Sequence, residues 1–313
     1  MIEFIPPFDW QVVVLNPWTE DFDSYRWITL MGFFVASACG LVGNYLLLRR
    51  LSLIGDAISH SILPGLALGF MVFKTTSIWA SFVGALLAAL AAVYAIEFIG
   101  KHSRIKPDAS TCIVFTTFFA FGVALISTLE ASGSVHLDAE CVLYGELSLV
   151  QFEEHVFWRG HDLGPLSLFR MGSMLLLVVI LIWVFFKELM ITSFDPALAT
   201  ALGMDPGLWH YGLMGILALI VVSSFEAVGA ILVVAMLIIP PMFAAQLCRS
   251  LTLRLVLIVL HSGASSLAGL HLSLWLNCST ASAMVIAGAI LFLAAWGWSV
   301  LSRCVRSGVL AAI

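Results

Sequence analysis

Nine apolar runs, each about as long as the roughly 20 residues a helix needs to cross a ~30 Å hydrocarbon core, leave this chain few folds. They fall at 27–48, 52–73, 77–99, 110–130, 171–190, 209–224, 228–247, 253–275 and 280–300. The sequence is 61% hydrophobic and 11% charged, with a mean hydropathy of +1.07, a composition that no water-soluble domain of this size carries on its surface. Lipid offers no partner to a backbone N–H or C=O, so such runs must close their hydrogen bonds internally as helices. The expected fold class is an all-α polytopic membrane protein with eight or nine transmembrane helices. The count turns on 208–247, where Ser223, Ser224 and Glu226 interrupt the apolar run near its middle. That segment reads either as two short spans or as one long span with a re-entrant piece.

Basic residues set the expected orientation. With the first span running outside to inside, Arg49, Arg50, Lys101, Arg104, Lys106, Lys187, Arg249, Arg254, Arg303 and Arg306 fall in the cytoplasm, and Arg26, Lys74, Arg159 and Arg170 outside. Ten against four favours this topology. The N-terminus then lies outside and the C-terminus in the cytoplasm. The expected organisation is an outer N-terminal segment 1–26, a transmembrane domain 27–303 and a cytoplasmic tail 304–313. Met1 to Ile5 lacks a basic region, and Pro6, Pro7 and Asp9 break any early apolar run, so a cleavable signal is not expected.

Several function classes drop out. No G-x-x-x-x-G-K loop occurs, so ATP cannot be bound in the P-loop manner, and no H-E-x-x-H occurs to build an intramembrane metalloprotease. The six cysteines are scattered without a C-x-x-C pair and read as small apolar residues. No basic patch or aromatic stacking run supports nucleic-acid binding.

The residues that carry chemistry begin in the second run. Gly-Asp-Ala-Ile-Ser-His-Ser-Ile-Leu-Pro-Gly, from Gly55 to Gly65, sets Asp56 and His60 four apart inside apolar sequence. On a helix they share a face, with roughly 6 Å of rise between them. Ionisable groups at membrane depth cost several kcal/mol unless they face a cavity or a partner, so the pair is a candidate metal or proton pathway. Imidazole with carboxylate suits divalent Mn, Fe or Zn better than Ca or Cu(I). Two ligands hold an ion weakly, which suits passage, and a second copy or a homologue would supply the rest. Pro64 removes the donor to the His60 carbonyl, which then either faces the pathway or marks a packing kink.

Other candidates are weaker. Glu226 is a second ligand or gate, or an interfacial group at a hairpin. Pro240 and Pro241 break a helix ladder and read as lining a cavity or hinge. His136 and Asp138, in the polar outer segment 131–170, could receive ions at an entrance. His102, His155, His161 and His210 read as bland, and His261 and His271 as packing residues. In the inner segment 194–206, Asp195 reads as an N-cap, Pro196 as the first helical residue and Gly203 as the C-terminal turn of a short helix. Ala197, Ala199 and Ala201 would let a partner approach it closely.

From Arg49-Arg50-Leu51-Ser52-Leu53-Ile54-Gly55-Asp56 through His60-Ser61-Ile62-Leu63-Pro64-Gly65, the sequence resembles the ABC-type manganese, zinc and iron permease family. The likeness recurs at Asp195 to Gly203 and at Val228 to Pro240, and runs over about 27–300. It implies an ABC importer permease fold in a bacterial plasma (inner) membrane. It also implies a permease dimer with itself or a paralogue, two cytoplasmic ATPase subunits and an extracytoplasmic metal-binding protein. In that family the residues matching Asp56 and His60 are the metal-pathway residues, and Asp195 to Gly203 matches the motor-docking loop. The expected function is the permease subunit of an importer for Mn, Zn or Fe. No enzyme activity or permanent cofactor is expected. A permease for siderophore, haem or cobalamin and a proton-coupled secondary transporter remain as alternatives.

Overall fold

The computed structural model describes residues 6–73, 78–131, 147–158 and 161–306. Among them, nine helical segments are long and apolar enough to cross a membrane. Two turns, Gln11–Leu15 and α1 (Asn16–Thr19), precede α2 (Phe22–Leu48). Then follow α3 (Ser52–Phe73), α4 (Ile78–His102) and α5 (Pro107–Ala131). Beyond a hairpin of β1 (His155–Trp158) and β2 (His161–Pro165) come α6 (Leu166–Val184), α7 (Phe186–Phe194) and α8 (Pro196–Ala201). The last helices are α9 (Pro206–Leu247), α10 (Leu251–Leu276) and α11 (Thr280–Arg306).

The helices separate into two compact units. One comprises Tyr45–Gly145 and Leu176–Val234. Here α3 packs on both α4 and α5. Small residues make this possible: a Cβ at Gly65 would strike the backbone carbonyl of Gly84, a Cβ at Gly84 would strike that of Gly65, and Gly69 lies against Ala80. Gly65-x-x-x-Gly69 on α3 thus meets Ala80-x-x-x-Gly84 on α4, the small-residue packing that lets membrane helices approach without a hydrophobic driving force. Ala57, Ala92, Ile96 and Val114 fill one core cluster of this unit, and Leu63, Ala67, Ile126 and Leu129 another.

The other unit comprises Met1–Asn44, Glu146–Leu175 and Ala235–Ile313. In it α10 packs on α11, with Gly269 against Met284 and a buried row of Ser262, Ser265, Ser266 and Ser273. Three of these hydroxyls donate to carbonyls of their own helix, and Ser266 donates to the Thr29 carbonyl of α2 at 2.6 Å. Pro241 removes the donor that the Leu237 carbonyl would have had. Gly43 of α2 lies directly on that carbonyl, where any side chain would overlap it, and Gly40 lies on Pro240. The Pro240–Pro241 break, expected to line a cavity or hinge, is therefore covered by α2.

Two sequence expectations change, and in a third case one of two open readings is met. The first span starts at Phe22 rather than at 27, and the fifth begins at Leu166 rather than 171. Segment 131–170 is not a plain loop: Leu147–Phe152 forms a 3-10 turn, and β1 and β2 pair antiparallel with Phe157 opposite Asp162. In the 208–247 region α9 is interrupted at Gly229, whose φ of 74° and ψ of 170° suit glycine alone. On either side lie two segments of membrane length, Pro206–Phe225 and Val228–Leu247.

Candidate metal pathway

Arg50 ends α2 in the left-handed conformation, with a φ of 60°. The Leu51 N–H then donates to the Leu46 carbonyl at 2.9 Å, the bond that closes a helix C-terminus, and α3 starts at once. Asp56 and His60 therefore sit in the second and third turns of α3. Asp56 Oδ1 lies 3.5 Å from His60 Nε2. Metal bonds of about 2.1 Å place tetrahedral ligand atoms ~3.4 Å apart, and the separation of the two atoms is close to that spacing. The side chains keep 42% and 26% of their surface exposed, respectively, so the pair is open on one side. The rings of Phe115 and Phe119, 5.1 and 5.5 Å from the imidazole, wall it on another. His60 Nδ1 is buried without a hydrogen-bond partner among the described residues. Those residues contain no group of three His, Cys, Asp or Glu side chains that could hold a metal.

Pro64 is buried, and Gly122 of α5 packs onto its ring and onto Leu63, which supports the packing alternative. Glu226 is on α9, three residues before Gly229, and only its backbone is described. His136 and Asp138 lie outside the described residues. Asp195 does cap α8: its Oδ1 accepts from the Leu198 N–H at 3.0 Å, and Pro196 follows at the first position. Gly203, with a φ of 80°, ends it. Ala199 is fully buried inside the unit, whereas Ala197, Ala201 and Gly203 are exposed, so part of the small-residue face stays open. Leu198 and, just past the end of α8, Leu202 are large apolar side chains exposed there, at 48% and 59%.

Two polar clusters escaped the sequence reading. Arg49 donates to Ser193 Oγ and Thr192 Oγ1, each at 3.0 Å, tying the start of the α3 turn to α7. Burial pushes its guanidinium below its ordinary pKa. Glu97 of α4 places Oε1 2.5 Å from His210 Nε2 of α9. Its Oε2 accepts from Lys101 Nζ at 2.9 Å, and Lys101 donates also to the Tyr211 hydroxyl at 3.0 Å. His210 is thus not bland. The available signal was Glu97 itself, a carboxylate one turn before a lysine inside an apolar run.

The ABC 3 transport family matches this chain over residues 21–298. The zinc transport system membrane protein TroD of Treponema pallidum is 40% identical over 265 residues, covering 85% of this chain and 71% of that protein. The manganese transport system membrane protein MntD of Bacillus subtilis is 39% identical over 274 residues, 87% of this chain and 91% of that one. Among solved structures, PsaBC from Streptococcus pneumoniae in complex with Fab superposes with a TM-score of 0.73 at 32% identity, covering 91% of this chain and 94% of that one.

Proposed function

The chain belongs to the ABC 3 transport family, and from that premise we propose that it is the membrane-spanning subunit of an ATP-driven importer that carries a divalent transition metal, such as manganese or zinc, into the cytoplasm. The observation that carries this reading is the Asp56–His60 pair: a carboxylate and an imidazole at ligand-to-ligand distance, half open, inside a helix of membrane length. A siderophore or cobalamin tunnel would need no such pair.

The chemistry follows from what the pair lacks. One carboxylate and one imidazole satisfy two of the four to six positions such ions prefer. Across the interface of a permease dimer, a second Asp–His pair or its equivalent completes the set, so the ion is held only while the two subunits are apposed. Rocking of the subunits then releases it, and binding stays weak enough for exit. The carboxylate offsets part of the ion's charge in a medium where uncompensated charge is expensive, while Phe115 and Phe119 fix the imidazole plane.

The motor is a separate ATPase, for the sequence holds no P-loop. It docks on the capped helix α8, where Leu198 and Leu202 supply apolar contact. An extracytoplasmic binding protein delivers the ion to the outer face. The N-terminus lies outside and the C-terminus in the cytoplasm of a bacterial plasma membrane, as the ten-to-four distribution of basic residues favours.

Metal uptake in cells carrying Asp56→Asn or His60→Ala tests the reading. Accumulation of the transported metal should fall to the level of cells lacking the gene at unchanged protein abundance. Normal accumulation of Mn, Zn and Fe in both variants would overturn it.

A further inference from the structure

Below the Asp56–His60 pair, toward the N-terminal end of α3, the same unit opens a cavity of about 450 Å³. Two helices link the cavity to the pair by register. Leu53, which lines it, shares a face of α3 with Asp56 and His60, being three and seven residues before them. Thr111, which also lines it, stands one turn before Phe115, the ring packed on His60. These two faces run from the pair toward this cavity, which Asp56 and His60 themselves do not line. Its walls carry Glu97, His210, Lys101, Asp108 and Arg50.

Resting on the metal-importer reading above, we propose that Glu97 and His210 form a second divalent-metal site, a release station on the cytoplasmic side of the Asp56–His60 pair, with Lys101 as a tethered cation that competes for the same carboxylate. The second pair repeats the donor set of the first. Glu97 Oε1 and His210 Nε2 stand 2.5 Å apart as a close carboxylate–imidazole pair. Opening them to ~3 Å or more lets both bind one ion at ordinary bond lengths. The Glu97 side chain is 12% exposed and that of His210 26%, so the donors are dry enough to attract a cation yet reachable from the cavity. Tyr211 braces Lys101 from the other side, its hydroxyl accepting from Nζ at 3.0 Å.

Lys101 distinguishes this pair from the first. Its ammonium already holds Glu97 Oε2 at 2.9 Å, and 62% of its side chain remains exposed. A divalent ion arriving at Glu97 meets a fixed positive charge a few ångströms away, which weakens binding. When the ion departs, the ammonium resumes full neutralisation of the carboxylate and opposes return. The Asp56–His60 pair therefore acts as the holding site and the Glu97–His210 pair as the releasing one.

The test uses the full-length chain in nanodiscs and Mn(II) as probe, followed by electron paramagnetic resonance. In the double variant Asp56→Asn/His60→Ala, residual Mn(II) binding should persist and show nitrogen modulation from one imidazole. Adding His210→Gln should remove that modulation, and adding Glu97→Gln should weaken binding at least about tenfold. Adding Lys101→Met should instead tighten it about tenfold, the effect of removing one nearby charge. A purely structural tether moves neither the nitrogen signal nor affinity in this opposite sense. Absence of residual binding, or nitrogen modulation that survives His210→Gln, overturns the release station while leaving the Asp56–His60 reading intact. Normal uptake by the Asp56 and His60 variants overturns that earlier reading instead.

Discussion

Two pairs of histidines, one pair in each unit, are used in opposite ways. In the unit built on α10 and α11, His261 is 2% exposed, presses on Phe243 at 4.6 Å and donates from Nε2 to the Gly288 carbonyl at 3.2 Å. His271 there donates from Nδ1 to the Val13 carbonyl at 2.8 Å and accepts from the Trp18 indole at 3.4 Å, fastening the N-terminal turns. In the unit built on α3, α4 and α5, His60 and His210 each face a carboxylate and each keep about a quarter of their side-chain surface exposed. A buried imidazole that bonds to backbone or indole is already committed to packing. One that faces an acid at the wall of an opening retains a donor for a cation. Residue type alone does not separate the two classes.

The largest expected effect tests that division directly. His60→Ala should lower metal uptake at least about tenfold, in line with what loss of even an outer ligand partner costs a metal site. His261→Ala should leave uptake per folded molecule unchanged and instead cost about 1–3 kcal/mol of stability, through the lost hydrogen bond and the cavity left behind. Uptake assays with quantified membrane protein, paired with thermal unfolding in detergent, read both outcomes. Loss of transport in His261→Ala at full abundance would erase the contrast.

Next in size is the packing that supports the pair. Gly84→Leu should destabilise the protein by about 3 kcal/mol or more, because the new side chain meets the Gly65 backbone rather than a movable side chain. Gly215→Ala, with nothing within 4 Å of the added carbon, should be neutral or stabilising by up to about 1 kcal/mol. Unfolding midpoints of the two variants give the comparison.

The smallest effect concerns a third kind of histidine pair, outside the spans. His155 Nδ1 and Asp162 Oδ2 lie 2.7 Å apart on the hairpin, and Asp162 Oδ1 accepts from the Gly164 N–H at 2.9 Å. The bond to Asp162 raises the His155 pKa above 6.5, and the bond to His155 lowers the Asp162 pKa below 3.8. The raised histidine contributes its stabilisation fully below pH 6.5 and loses it as pH rises through its folded value. The lowered aspartate contributes fully above pH 3.8 and loses it as pH falls through its folded value. Amide protection of β1 and β2, corrected for intrinsic exchange rates, should therefore plateau between pH 4 and 6.5 and decline on both sides. Asp162→Asn should flatten that profile.

How much of this was legible depends on the range of the interaction. Asp56 and His60 could be paired from sequence because four residues fix their separation on any helix. Asp195, Pro196 and Gly203 announced α8 for the same reason, since capping is decided within a turn. Glu97 and His210 lie on different helices, and no local rule brings them together. The same holds for Gly43 against the Leu237 carbonyl, where a glycine on α2 answers a proline two spans from the end. The hairpin at 155–165 was lost inside a polar segment whose short strands carry little pattern. The inward turn of Ala199 was equally invisible, because small residues mark a close approach without saying whether the neighbour is the chain itself or a partner.

The sequence alone determined that the chain crosses a membrane as helices, roughly where each crossing lies, and that one helix carries an acid and an imidazole on a common face. Those properties depend on solvent transfer and on helical repeat, which act along the chain. Tertiary structure decided which histidines face carboxylates, which glycines exist to admit a backbone, and that Glu97 and His210 line one cavity with Leu53 of α3 and Thr111 of α5. Those outcomes depend on helix-to-helix contact, and in lipid such contact is set by close packing and hydrogen bonds rather than by hydrophobic pattern.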